Sequence, residues 1–155
     1  MIGREDQLKS LNQNYASSKS NLTILYGRHG TGKTTLIKEF IKDKKSFYYK
    51  AVPADDFEQN GMFGRAAGVE SDSYYEIMKA LRDRGILLFV VEEFHNIIKM
   101  DSNFMSDVSR LVRDESKVMV ILSCSSVAWV ENSMVKAMGN LSLIHISEPT
   151  RHLRI

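Results

Sequence analysis

The chain has 155 residues, 43% of them hydrophobic and 26% charged, which suits one globular domain and excludes a disordered chain. Lysine plus arginine number 21 and aspartate plus glutamate 19, so a formal charge of +2 points to no nucleic-acid or membrane partner through bulk electrostatics. The single cysteine, Cys124, can close no intramolecular disulfide and has no second thiol for a zinc cluster. The longest apolar runs, residues 86–91 and 118–122, fall well short of the roughly 18 residues that suggest a membrane span. The charged start, Gly3-Arg4-Glu5-Asp6, lacks the apolar stretch of a secretory signal, and the expectation is a soluble, cytoplasmic protein.

In chain order, Leu8, Leu11 and Tyr15 follow helical spacing, and Ser17-Ser18-Lys19-Ser20-Asn21 breaks it. Residues 22–26 form a short apolar run ending at Gly27, which predicts a strand. A glycine-rich turn covers 27–32, and Leu36, Ile37, Phe40 and Ile41 place a helix over 34–42. A second strand is expected at 46–51, closed by Pro53, and helices at about 54–67 and 72–84, stopped by Gly68 and Gly85. Residues 86–91 predict the third strand, 102–114 an amphipathic helix through Phe104, Val108, Leu111 and Val112, and 118–122 the fourth strand. A short helix at 129–138 has no visible packing partner. Apolar strands alternating with helices imply an α/β fold with a mostly parallel sheet covered on both faces.

Gly27-Arg28-His29-Gly30-Thr31-Gly32-Lys33-Thr34 matches G-x-x-x-x-G-K-[ST] in full, between a predicted strand and a predicted helix, which is the context the Walker A motif requires. Gly30 and Gly32 can take positive φ and put no Cβ in the way, so consecutive backbone N–H groups can converge on phosphate oxygens at the positive end of the following helix. Lys33 adds a full charge against the β and γ phosphates, and the Thr34 hydroxyl can ligate Mg2+. Thr35 continues the loop into the helix. The third strand runs into Glu92-Glu93, at the end of a strand where a P-loop ATPase presents its acidic pair. Glu92 stands where aspartate usually holds the metal, and its extra methylene lengthens the reach by about 1.5 Å. Glu93 stands where a glutamate polarises the attacking water. Ser123 ends the fourth strand as a candidate sensor of the γ-phosphate. Cys124 reads as a small packed residue, and His29 and His95 lack the spacing of metal ligands.

Ile2-Gly3-Arg4-Glu5, Leu25-Tyr26-Gly27-Arg28 leading into Gly32-Lys33-Thr34-Thr35, Phe47-Tyr48-Tyr49-Lys50, Glu92-Glu93-Phe94 and residues 121–126 together resemble the archaeal-type P-loop ATPases of the AAA/STAND group, across residues 1–140. That resemblance implies a three-layer P-loop NTPase sandwich with strand order 5-1-4-3-2, and places Gly3 and Arg4 near the adenine. It also implies a fifth strand and a helical lid, neither of which is expected in the sequence after Asn140. The catalytic set it implies is Lys33, Glu93 and Ser123, with Thr34 and Glu92 on the metal.

Residues 141–151, Leu-Ser-Leu-Ile-His-Ile-Ser-Glu-Pro-Thr-Arg, resemble the translation of a common transposase-based sequencing adapter. They are apolar enough at their start to form an ordinary strand. The expectation is an incomplete P-loop ATPase domain over 1–140, truncated before the lid, and a non-native tail over 141–155, leaving the P-loop strand at a sheet edge. The leading function is an ATP-binding and ATP-hydrolysing switch whose state is read by a further effector domain. The alternative is a DNA-associated or protein-tethering module in which ATP is a structural ligand, and the segment would then bind nucleotide without turnover. A small-molecule kinase is a third reading, weakened by Glu93, and GTP is not excluded.

Overall fold

The computed structural model describes residues 4–98, 103–133 and 141–146. The elements run α1 (Glu5–Ala16), β1 (Asn21–Tyr26), α2 (Lys33–Ile41), β2 (Ser46–Lys50), α3 (Asp56–Ala67), α4 (Tyr74–Asp83), β3 (Leu88–Glu92), α5 (His95–Ile98), α6 (Phe104–Asp114), β4 (Met119–Cys124), α7 (Val127–Ser133) and β5 (Leu141–His145). Local chemistry marks several ends. The Asp55 carboxylate caps α3 by accepting from the Glu58 N–H, and the Ser73 hydroxyl caps α4 by accepting from the Glu76 N–H. Gly68 closes α3 at φ 71°, a left-handed turn that costs glycine little.

The five strands form a parallel sheet in the order β2-β3-β4-β1-β5, matching the order implied by the resemblance. Alternation along each strand sorts the core into two layers. Leu25, Leu88, Val90, Met119 and Ile121 pack against Leu11 of α1 and Leu36, Ile37 and Phe40 of α2. Ile24, Phe47, Tyr49, Phe89, Val91, Val120 and Leu122 pack on the other side against α3, α4, α6 and α7. The result is a three-layer P-loop NTPase sandwich.

Two expectations are corrected. The P-loop strand is not a sheet edge: residues 141–145 pair in parallel along β1, from Leu22 opposite Leu141 to Tyr26 opposite His145, and Ile146 is fully buried in the α1/α2 layer. A fifth strand therefore follows Asn140. The final described helix begins at Val127 and does have a partner, since Val130 is fully buried and the Trp129 ring meets Phe94 edge-on at 5.6 Å. Residues 134–138 of the expected helix lie outside the described residues. Sequence periodicity also gives no sign of α5, which at four residues is too short for a helical period to show.

Candidate nucleotide site

At the carboxyl end of β1 the chain turns through the glycine-rich loop and enters α2 at Lys33. Gly32 caps α2 in the left-handed region at φ 93°, and Gly30 lies at φ 83°. Gly27 is required for a different reason: a Cβ there would sit 2.2 Å from the Ile146 carbonyl oxygen, so β5 closes directly on the start of the loop. Within the loop the Thr31 hydroxyl donates to the Arg28 carbonyl at 2.7 Å. Arg4 is buried and donates to the Thr31 carbonyl, bracing the loop from the start of α1. Gly3 lies outside the described residues.

Lys33 is 7% exposed, and its ammonium donates to the carbonyls of Gly27 at 2.6 Å and Arg28 at 3.1 Å. Burial holds its pKa below the usual lysine range, although the carboxylates of Glu93 and Glu92 and the Cys124 sulfur oppose that shift. Thr34 and Thr35 are exposed at the first turn of α2. His29, Gly30, Gly32, Lys33, Thr34 and Thr35 face Lys50, Glu92 and Glu93 across a cleft of about 340 Å³. A larger groove of about 960 Å³ beside α3 shares no lining residue with this cleft.

The two acids sit in unlike surroundings. Glu92, the last residue of β3, is 2% exposed. Its Oε1 accepts from the Thr34 hydroxyl at 2.9 Å and the Ser123 hydroxyl at 3.3 Å, and its Oε2 accepts from the Tyr48 hydroxyl. Burial, the hydrogen bond to Glu92 and that residue's charge push the Tyr48 phenol above its ordinary pKa. Glu93 leaves the strand at φ 55°, in the left-handed region that a side chain other than glycine's adopts at a cost. Its Oε2 accepts from the Ser125 hydroxyl at 3.0 Å and lies 3.9 Å from Nε2 of both His29 and His95. The Nδ1 of His95 is 3.4 Å from the buried Cys124 sulfur.

The structure thus brings together Lys33, Thr34, Glu92 and Glu93 at one cleft. Ser123 is fully buried behind it, joined to the cleft through Glu92. Sequence reading missed Tyr48, Lys50 and Ser125 as members of the site, and gave His95 no role near Glu93. For Tyr48 and Lys50 the signal is register: Lys50 pairs with Glu92 across β2 and β3, and Tyr48, two residues earlier, shares its face. Among the described residues no cluster of three His, Cys, Asp or Glu forms a protein-only metal cage. The Thr34 hydroxyl beside the Glu92 carboxylate is instead a hard-oxygen pair of the kind that suits magnesium, which retains waters and takes phosphate oxygens.

Residues 16–126 match the AAA domain family. The chain belongs to this family. An uncharacterised protein of Methanocaldococcus jannaschii is 27% identical over 138 residues, a match that covers 83% of this chain and 30% of that protein. An uncharacterised ATP-binding protein of the same archaeon is 46% identical over 44 residues, covering 28% of this chain and 75% of that protein. Among solved structures, the ORC1 protein of Aeropyrum pernix in complex with DNA is similar with a TM-score of 0.71 at 22% identity, over 97% of this chain and 46% of that one. The AAA chain thus spans less than half the length of that structure and of the longer archaeal relative. It is an ATP-binding AAA-type domain, and no helix among its described residues is long and apolar enough to cross a membrane.

Proposed function

We propose that this AAA domain hydrolyses the ATP it binds and uses the cycle as a switch of the STAND kind. The observation that carries the reading is the complete phosphate loop held 2.9 Å, through Thr34, from the first of two acids at the end of β3. In this reading the loop N–H groups and the positive end of α2 take the phosphates, and the Lys33 ammonium exchanges its carbonyl partners for phosphate oxygens. Magnesium held by Thr34 and Glu92 would neutralise charge on the phosphate oxygens. Glu93 accepts a proton from the attacking water as oxygen bonds to the γ-phosphorus, and the bond to the β-phosphate oxygen breaks with its electron pair leaving on that oxygen. Ser123 reports the state of the site through its bond to Glu92, and Arg4 supports the loop near the adenine side. A further domain of the longer protein reads the switch.

Glu93→Gln tests the assignment. Hydrolysis in the intact protein should fall about 10²- to 10⁴-fold while ATP binding survives. Unchanged turnover would remove Glu93 from the mechanism. A second reading takes support from the Aeropyrum pernix relative, whose structure is a complex with DNA. In it the domain is DNA-associated and ATP is a structural ligand. Salt-dependent DNA affinity in a protein without measurable turnover would favour this reading over the first.

A further inference from the structure

Glu92 reaches about one methylene, some 1.5 Å, further than the aspartate usual at its position, and it does so in a buried place. Three elements meet its carboxylate there. From α2 the Thr34 hydroxyl, and from β4 the Ser123 hydroxyl, donate to Oε1 at 2.9 and 3.3 Å. From β2 the Tyr48 hydroxyl donates to Oε2. Tyr48 lies opposite Val90 and its ring packs with the α1/α2 layer, the side of the sheet to which Glu92 projects.

A carboxylate with donors on both oxygens can neither rotate about its last bond nor swing away without leaving a buried polar atom unpaired. An aspartate on the same strand would end too short to meet the phenol of the neighbouring strand and the hydroxyl of Thr34 together. We propose that Tyr48 is a positioning residue matched to Glu92: it takes Oε2, keeps Oε1 turned to Thr34, and thereby lets the longer acid serve as the magnesium carboxylate. This rests on the magnesium–nucleotide reading given above.

The test is Tyr48→Phe, which removes the hydroxyl and keeps the ring, in the intact chain, with a fluorescent ATP analogue titrated in excess EDTA and then across a Mg2+ series. The magnesium concentration for half-maximal tightening should rise about 10- to 100-fold, the range typical for removing the partner of a metal-binding carboxylate. Affinity without magnesium should stay within about twofold. In a Glu92→Asp background the same Tyr48 substitution should move the magnesium midpoint by less than about threefold, because the shorter acid no longer reaches the phenol.

An unchanged midpoint in Tyr48→Phe would overturn the proposal. So would an equal loss of affinity with and without magnesium, which marks a packing role alone, or an undiminished shift in the Glu92→Asp background. Absence of any magnesium-dependent nucleotide binding in the unsubstituted chain would defeat the parent reading first, and is distinguishable from all three.

Discussion

On the face of the sheet covered by α3, α4 and α6, the strands deliver Phe47, Tyr49, Phe89 and Val91 into an aromatic core. There Phe63 meets Phe47 at 5.3 Å and both Tyr49 and Tyr74 at 5.1 Å, edge to face. On the face covered by α1 and α2, β3 and β4 deliver Leu88, Val90, Met119 and Ile121, and then, at their carboxyl ends, Glu92 and Ser123. The first face stays closed to its end with Ala51, Phe94 and Cys124, all buried. The period-two pattern thus carries the apolar run of the α1/α2 face into Glu92 and Ser123 at the carboxyl ends of β3 and β4. Packing energy gathers on one face and the chemistry of the site on the other, so substitutions on the two faces should separate stability from ligand binding.

The largest effect should come from the aromatic face. Phe63→Ala removes a fully buried ring with at least four aromatic neighbours and should cost about 3–5 kcal/mol of unfolding free energy by chemical denaturation. ATP affinity of the folded fraction should stay near that of the parent chain, and a joint loss would break the separation. Lys33→Ala should do the reverse. ATP affinity should fall on the order of 10²-fold as a charge-assisted phosphate contact is lost. Because burial lowers the pKa of Lys33, its protonated form is disfavoured by the fold at neutral pH. Relief of that cost and loss of the ammonium's bonds to the Gly27 and Arg28 carbonyls act in opposite directions, so the denaturation midpoint should move less than in Phe63→Ala, and a loss as large as that variant's would contradict the separation.

Gly27→Ala should sharpen the comparison by touching both functions modestly. The new Cβ would press on the Ile146 carbonyl, loosen the Ile146 N–H bond to the Tyr26 carbonyl at 2.7 Å, and cost about 1–3 kcal/mol, as overpacking does. Hydrogen exchange should show faster loss of protection at Ile146. Unaltered exchange there would mean that β5 does not close on the loop.

Much of this was legible in the sequence, for identifiable reasons. The phosphate loop shows because glycine, lysine and threonine have fixed spacing and a local mechanism, and β1, β3 and β4 show because strands buried on both faces read as continuous apolar runs. The alternation that brings Tyr48 beside Glu92 is also present in the sequence, but its meaning depends on β2 pairing with β3, a long-range fact. Glu93 at positive φ carries no residue signal, since glutamate is an unusual choice there. Read as a non-native tail, residues 141–145 nonetheless pair with β1 through backbone groups that every non-proline residue offers. Contacts made by backbone, or by side chains distant in sequence, are where reading residue by residue stops.

The most direct test is thermal unfolding of the intact chain with and without magnesium and ATP. At about 100 times the parent chain's dissociation constant, ligand binding to the native state should stabilise it by about 2.7 kcal/mol, and the weaker-binding Lys33→Ala by only about 0.4 kcal/mol, so the midpoint should rise far more in the parent chain. No shift in the parent chain at saturating ATP, or the same shift in Lys33→Ala, would contradict the assignment of this cleft as the nucleotide site.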